Sequence, residues 1–111
     1  HSAPSEVLAI IALEARERIV SRNLKIVLDN LAALRSFFAS HPGLCQWIEP
    51  HGGSIAFPLW TGPGPVDEFC ESVLRERGVL IAPGTLFDFP NHFRVGYGRR
   101  NLPDALAQLA G

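Results

Sequence analysis

The chain contains no methionine, a single lysine and only two cysteines. Cys45 and Cys70 lie too far apart for a C-x-x-C redox motif and show no zinc-ligand spacing. Free, buried thiols are the expectation, and they fit a cytoplasmic setting. No apolar run approaches the roughly 20 residues that a membrane-spanning helix needs. His1-Ser2-Ala3 lacks a charged n-region followed by an apolar h-region, so no signal peptide is expected, and His1 reads as a cloning remnant. The formal net charge of -1 gives no reason to look for nucleic acid or an anionic membrane surface as partner. Gly62-Pro63-Gly64-Pro65 lacks the lysine and hydroxyl of a phosphate-binding P-loop, and Gly52-Gly53 is no dinucleotide fingerprint. The acids Asp67, Glu68 and Glu71 read as a helix N-terminus, not as an acid/base pair. The lone lysine, Lys25, stands among Leu24, Val27, Leu28 and Leu31 and reads as a solvated helix residue.

Hydrophobic residues make up 47% of the 111 residues, enough for one core. Val7, Leu8, Ile11, Ile19, Val20, Leu24, Val27, Leu28, Leu31, Leu34 and Phe38 recur at helical spacings. Nothing breaks that pattern before Pro42-Gly43, so a continuous or gently bent helix of about 35 residues is expected, far above the usual 11–12. Strands are expected over Leu44–Glu49, Ser54–Trp60, Val79–Ala82 and His92–Gly98. Pro58 argues for an edge or a strand end. Val66–Arg77 should be a helix capped by Gly78, with Phe69, Cys70, Val73 and Leu74 as its apolar stripe, and Pro103–Ala110 another, with Leu102, Leu106 and Leu109 inward. The fold class that follows is α+β. A small, mainly antiparallel sheet should carry its helices mainly on one face, preceded by the long N-terminal helix.

Arg94 is the residue that asks for an explanation. In the run His92-Phe93-Arg94-Val95-Gly96-Tyr97-Gly98, alternation places Phe93, Val95 and Tyr97 on one face. His92, Arg94, Gly96 and Gly98 fall on the other, where glycine leaves room for a ligand. A guanidinium in mid-strand needs an anion, because an always-charged group is costly to bury unpaired. That anion is either a ligand carboxylate or a local acid such as Asp88 or Glu49. Ile55, Phe57 and Leu59 are expected on a large-residue face, and Ser54, Ala56 and Pro58 on the small-residue face beside Arg94. Arg99 and Arg100 read as solvated charges in a strand-exit loop. His92 could line a pocket, but no second histidine or cysteine stands at ligand spacing, so no metal is expected.

Gly78-Val79, Pro83-Gly84 and Phe87, followed by the Arg94 strand, resemble the C-terminal small domain of PLP-dependent aminotransferases of class I/II with the type I fold. His51-Gly52-Gly53-Ser54-Ile55-Ala56-Phe57-Pro58 is similar to that family's hairpin strand, and Arg22–Phe38, with Asn30 inside, to its preceding long helix. The likeness covers nearly all of residues 5–110. It implies that Arg94 binds the substrate α-carboxylate, with His92 and Phe87 as pocket-lining residues. It implies that the Phe87, Phe89 and Pro90 loop lies near the active-site mouth; packing under its own turn is the alternative. It also implies residues 1–21 as an interdomain connecting helix and 22–111 as the small domain. The coenzyme PLP and the lysine that anchors it would belong to a large N-terminal domain. No residue of this chain is then catalytic or cofactor-binding, and the chain alone should be inactive and bind no PLP. Amino-acid and keto-acid substrates, a homodimer and a cytoplasmic role in amino acid metabolism complete what the resemblance implies. A stand-alone module that binds a small carboxylate, or one that mediates dimerisation, remains the alternative.

Overall fold

The computed structural model describes residues 2–111. His1, and with it the reading of a cloning remnant, lies outside the described residues. Helix α1 spans Ala3–Glu14 and α2 spans Arg16–Ser40. The Ser2 hydroxyl accepts the Ser5 N–H at 3.3 Å, and Pro4 occupies the first turn, where no intrahelical N–H is needed. The long helix is therefore present with one bend, at Ala15 (φ -92, ψ 12). Backbone bonding carries on through it: Ala15 N–H reaches the Ile11 carbonyl at 3.0 Å, and Ile19 N–H reaches that of Ala15 at 3.1 Å.

The strands are shorter than expected: β1 Cys45–Gln46, β2 Ile55–Ala56, β3 Leu59–Trp60, β4 Ala82–Pro83 and β5 Phe93–Gly96. The expected Ser54–Trp60 strand is interrupted at Phe57-Pro58, where proline has no N–H to give to a ladder. Val79–Ile81 stays outside the sheet. Helix α3 covers Val66–Arg77 as expected, and Gly78 closes it at φ 67, donating its N–H to the Leu74 carbonyl. Helix α4 runs over Leu102–Ala110.

Every strand pair is antiparallel. Strand β5 is central: Ala82 stands opposite Arg94 on one side, and Ala56 opposite Val95 on the other. An isolated Leu59–His92 bridge joins β3 to the start of β5, and β1 adds to β3 beyond it. Phe93 and Tyr97 are each 1% exposed, facing Leu34, Phe37 and Phe38 of α2, Cys70 and Val73 of α3 and Leu102 of α4. The helices cover that face alone. This is an α+β fold with the sidedness that the sequence predicts for β5.

The sidedness expected for the hairpin is reversed. Directly opposite residues in an antiparallel pair share a face, so Ala56, opposite Val95, points into the core, and Pro58 is buried there too. Ile55 and Phe57 lie on the open face with Arg94. The bulky rings of Phe93 and Tyr97 already fill the space beneath the helices, and only small neighbours fit beside them.

Asn30 is the one buried polar side chain among the described residues. Its amide donates to the Tyr97 carbonyl at 2.9 Å and to the Arg99 carbonyl at 2.6 Å, tying α2 to the exit of β5. Asn30→Ala strips both carbonyls of their donor and should cost about 1–3 kcal/mol in urea unfolding. Asn30→Asp keeps the shape but points acceptors at acceptors, and should cost at least as much. An unchanged midpoint for both would mean that water replaces the amide freely.

Candidate functional site

The face of the sheet without helices carries the candidate site. Arg94 sits at the centre of β5 and is exposed. Its guanidinium carbon lies 5.7 Å from the centre of the Phe87 ring. Neither acid weighed as its partner takes that part. Glu49 is held by Arg35, whose Nε donates to it at 2.7 Å, and Asp88 forms no ion pair among the described residues. The fork of Arg94 is thus open to a ligand. A groove of about 790 Å³ runs from Arg94 past Ile55, Gly96 and Gly98 to Arg99, Asn101 and the edge of α4, where Asp104 lines it without pairing with Arg94. Nothing lies within 4 Å of where a side chain on Gly96 would begin, so the space beside the arginine is real, whereas Gly98 is already closed off by Ser54.

His92 and Phe87 fall on the same face as Arg94. The His92 ring stacks on Phe57 at 5.0 Å with 15° between planes. Phe57 meets Phe87 edge-on at 6.2 Å and Phe89 at 5.6 Å. The loop phenylalanines do not pack under their own turn. They gather with His92 around Phe57, and Phe87 and Phe89 stay 43% and 53% exposed. Phe57 is the member of this cluster that the sequence missed, because alternation assigns residues to two faces without saying which is the core.

The loop is built to hold position. Gly84–Phe87 forms a 3-10 turn directly after β4. Gly84 N–H donates to the His92 carbonyl at 2.6 Å, and Phe89 N–H donates to the Gly84 carbonyl at 2.9 Å. Thr85 Oγ1 donates to Asp67 Oδ1 at 2.7 Å, fastening the turn to the start of α3. Asp88 adopts a left-handed conformation (φ 62), which Asp tolerates better than most residues. Arg99 and Arg100 are exposed, as expected, although Arg99 lines the Arg94 groove.

The other titratable groups offer no second centre. Burial pushes the thiols of Cys45 and Cys70 up to about 11, aided at Cys70 by the charge of Asp67, so both stay protonated near neutrality. No group of His, Cys, Asp and Glu residues suited to a metal occurs among the described residues, nor does a helix long and apolar enough to cross a membrane. Lys25 is 77% exposed on α2 and paired with Asp29 at 2.7 Å. A coenzyme-anchoring lysine needs a desolvated amine inside a pocket. Exposed and ion-paired, Lys25 does not fit that part.

No family model matches the chain. A PLP-dependent aminotransferase from Streptococcus suis superposes with a TM-score of 0.89 at 30% identity, over 97% of this chain and 29% of that one. The resemblance to PLP-dependent aminotransferases holds. Capreomycidine synthase of Streptomyces vinaceus is 29% identical over 107 residues, which are 95% of this chain and 28% of the synthase. The PLP-dependent cyclase OrfR superposes with a TM-score of 0.87 at 28% identity, over 99% of this chain and 31% of the cyclase. The chain spans less than a third of each of these relatives, a share that suits a C-terminal small domain.

Proposed function

We propose that the chain serves as the C-terminal small domain of a PLP-dependent enzyme of the aminotransferase kind, in which Arg94 clamps the carboxylate of an amino-acid substrate. The observation that carries this is an arginine fixed in mid-strand on the uncovered sheet face, with no acid upon it and two glycines beside it. A planar guanidinium matches both oxygens of a carboxylate and so fixes orientation as well as charge. His92 and Phe87 wall the site on the side away from the glycines. When bound by a large domain, PLP supplies the electron sink for chemistry at the amino-bearing carbon. This chain's share is to hold and orient the substrate.

The reaction on this reading is amino-group transfer between amino acids and keto acids. The cyclase among the relatives favours ring closure as the second reading, on the same carboxylate clamp. Residues 1–21 act as the connection to the large domain, and 22–111 as the small domain. Helix α1 supports this: none of its residues is buried, and Val7, Leu8, Ile10, Ile11 and Leu13 are each more than half exposed. Such a helix, apolar on several sides, requires partners, which on this reading are the large domain and a second subunit of a cytoplasmic homodimer.

The test is Arg94→Lys in the full-length protein. Charge is kept but the fork is lost, so affinity for amino acids should fall by roughly tenfold or more. Simple amines, which have no carboxylate, should be nearly unaffected. Equal losses for amines and amino acids, or none for either, would make Arg94 a structural residue and overturn the reading.

A further inference from the structure

Given the carboxylate clamp proposed above, what holds Arg94 in place becomes a separate question. A free arginine side chain has several rotatable bonds, and a fork that must meet two oxygens loses affinity to that freedom. Mid-strand arginines are commonly aimed by an acid. Here no acid touches Arg94 among the described residues. The contact it does have is the Phe87 ring, 5.7 Å from its guanidinium carbon, within the range at which the face of a ring attracts a cation.

We infer that Phe87 is a positioning residue that aims the Arg94 guanidinium through a cation–π contact. The chemistry suits a clamp. An acid would occupy the N–H donors that a substrate carboxylate requires. An aromatic face attracts the charge yet offers no lone pair to those donors, so the fork remains free. Phe87 is itself steadied. Phe57 meets it edge-on, and the turn that bears it is fastened by Thr85 to Asp67 and by Gly84 to His92. The orientation of Arg94 is thereby linked to α3 and to the start of β5 without a charged partner.

The test compares Phe87→Leu, which keeps an apolar side chain but loses the ring, with Phe87→Tyr, which keeps the ring face. Two readouts are taken on the full-length protein. One is the NMR signal of the Arg94 Nε–H without substrate, which a nearby ring displaces. The other is the split between KM and kcat for amino acids. The inference expects Phe87→Leu to lose the ring displacement and to raise KM about twofold to fivefold, the scale of an exposed cation–π contact, with kcat kept. Phe87→Tyr should keep the ring displacement and raise KM less than Phe87→Leu does. A Phe87→Leu protein whose Arg94 signal is unmoved overturns the inference, as does an unchanged KM while Arg94→Lys retains its own effect. If Phe87→Leu shifts the signal but Arg94→Lys spares amino acids, Phe87 still positions Arg94, and it is the carboxylate clamp that fails.

Discussion

Phe93→Ala should destabilise the domain by about 3–5 kcal/mol, the usual penalty for emptying a phenylalanine site in a packed core. Phe93 is 1% exposed in the middle of the central strand. Its ring meets Phe69 of α3 edge-on at 5.8 Å, and Trp60 of β3 at 6.5 Å. Trp60 and Phe69 stack on each other at 4.1 Å, so one truncation loosens a three-ring cluster joining α3 to two strands. Whole domains of this kind are stable by only about 5–15 kcal/mol, so much of the protein should unfold near physiological temperature. The control lies on the other face. Phe57 is 37% exposed and covered by no helix, so Phe57→Ala should cost about 1 kcal/mol or less in the same urea titration. Equal losses at the two positions would show that the sheet does not have one buried and one open side.

The same comparison marks how far the sequence could be read. Phe93, Val95 and Tyr97 were legible as one face because a strand has a strict period of two. The hairpin was not, because that period says that Ile55 and Phe57 go together and leaves open which side they take. The register against β5 decides it, and register depends on residues some 40 positions away. Helix α3 was legible to the residue, since Asp67 and Glu68, Arg75 and Arg77, and then Gly78 mark both ends chemically. The bend at Ala15 carries no such mark: it has neither glycine nor proline. Asn30 did leave a signal, a lone amide in the stripe of Val27, Leu31 and Leu34, but its partners are backbone carbonyls that have no side-chain signature. At the site, Arg94 was visible by its oddity in a strand, and His92 by parity. The meeting of Phe87 with Arg94 was not visible, because it depends on how a turn folds back across the sheet.

That turn supplies the other large effect. Gly84 is buried where the chain crosses itself, and a Cβ added there would fall on the Phe89 carbonyl oxygen and within 2.6 Å of the His92 carbonyl oxygen. Both obstacles are backbone, so neither can swing aside as a side-chain tip would. The same two residues are bonded to Gly84 through its N–H and its carbonyl, so moving them away breaks the hydrogen bonds that close the turn. Gly84→Ala should therefore cost about 1–3 kcal/mol or more, as overpacking a tight site does. It should also weaken amino-acid affinity in the full-length protein, because the displaced segment carries Phe87 on one side and leads into His92 and Arg94 on the other. Gly43→Ala provides the comparison, since its new methyl would meet nothing within 4 Å and should change stability by no more than about 0.5 kcal/mol. Urea midpoints and KM measured on both variants decide the matter. If Gly84→Ala matches Gly43→Ala in stability, the backbone there yields easily and the turn is not rigid. If stability falls but amino-acid affinity holds, the turn is structural alone, and Arg94 takes its aim from elsewhere. A loss of both, with Gly43→Ala unchanged, is the expected result, since one close backbone crossing both closes the turn and places the aromatic ring against the arginine.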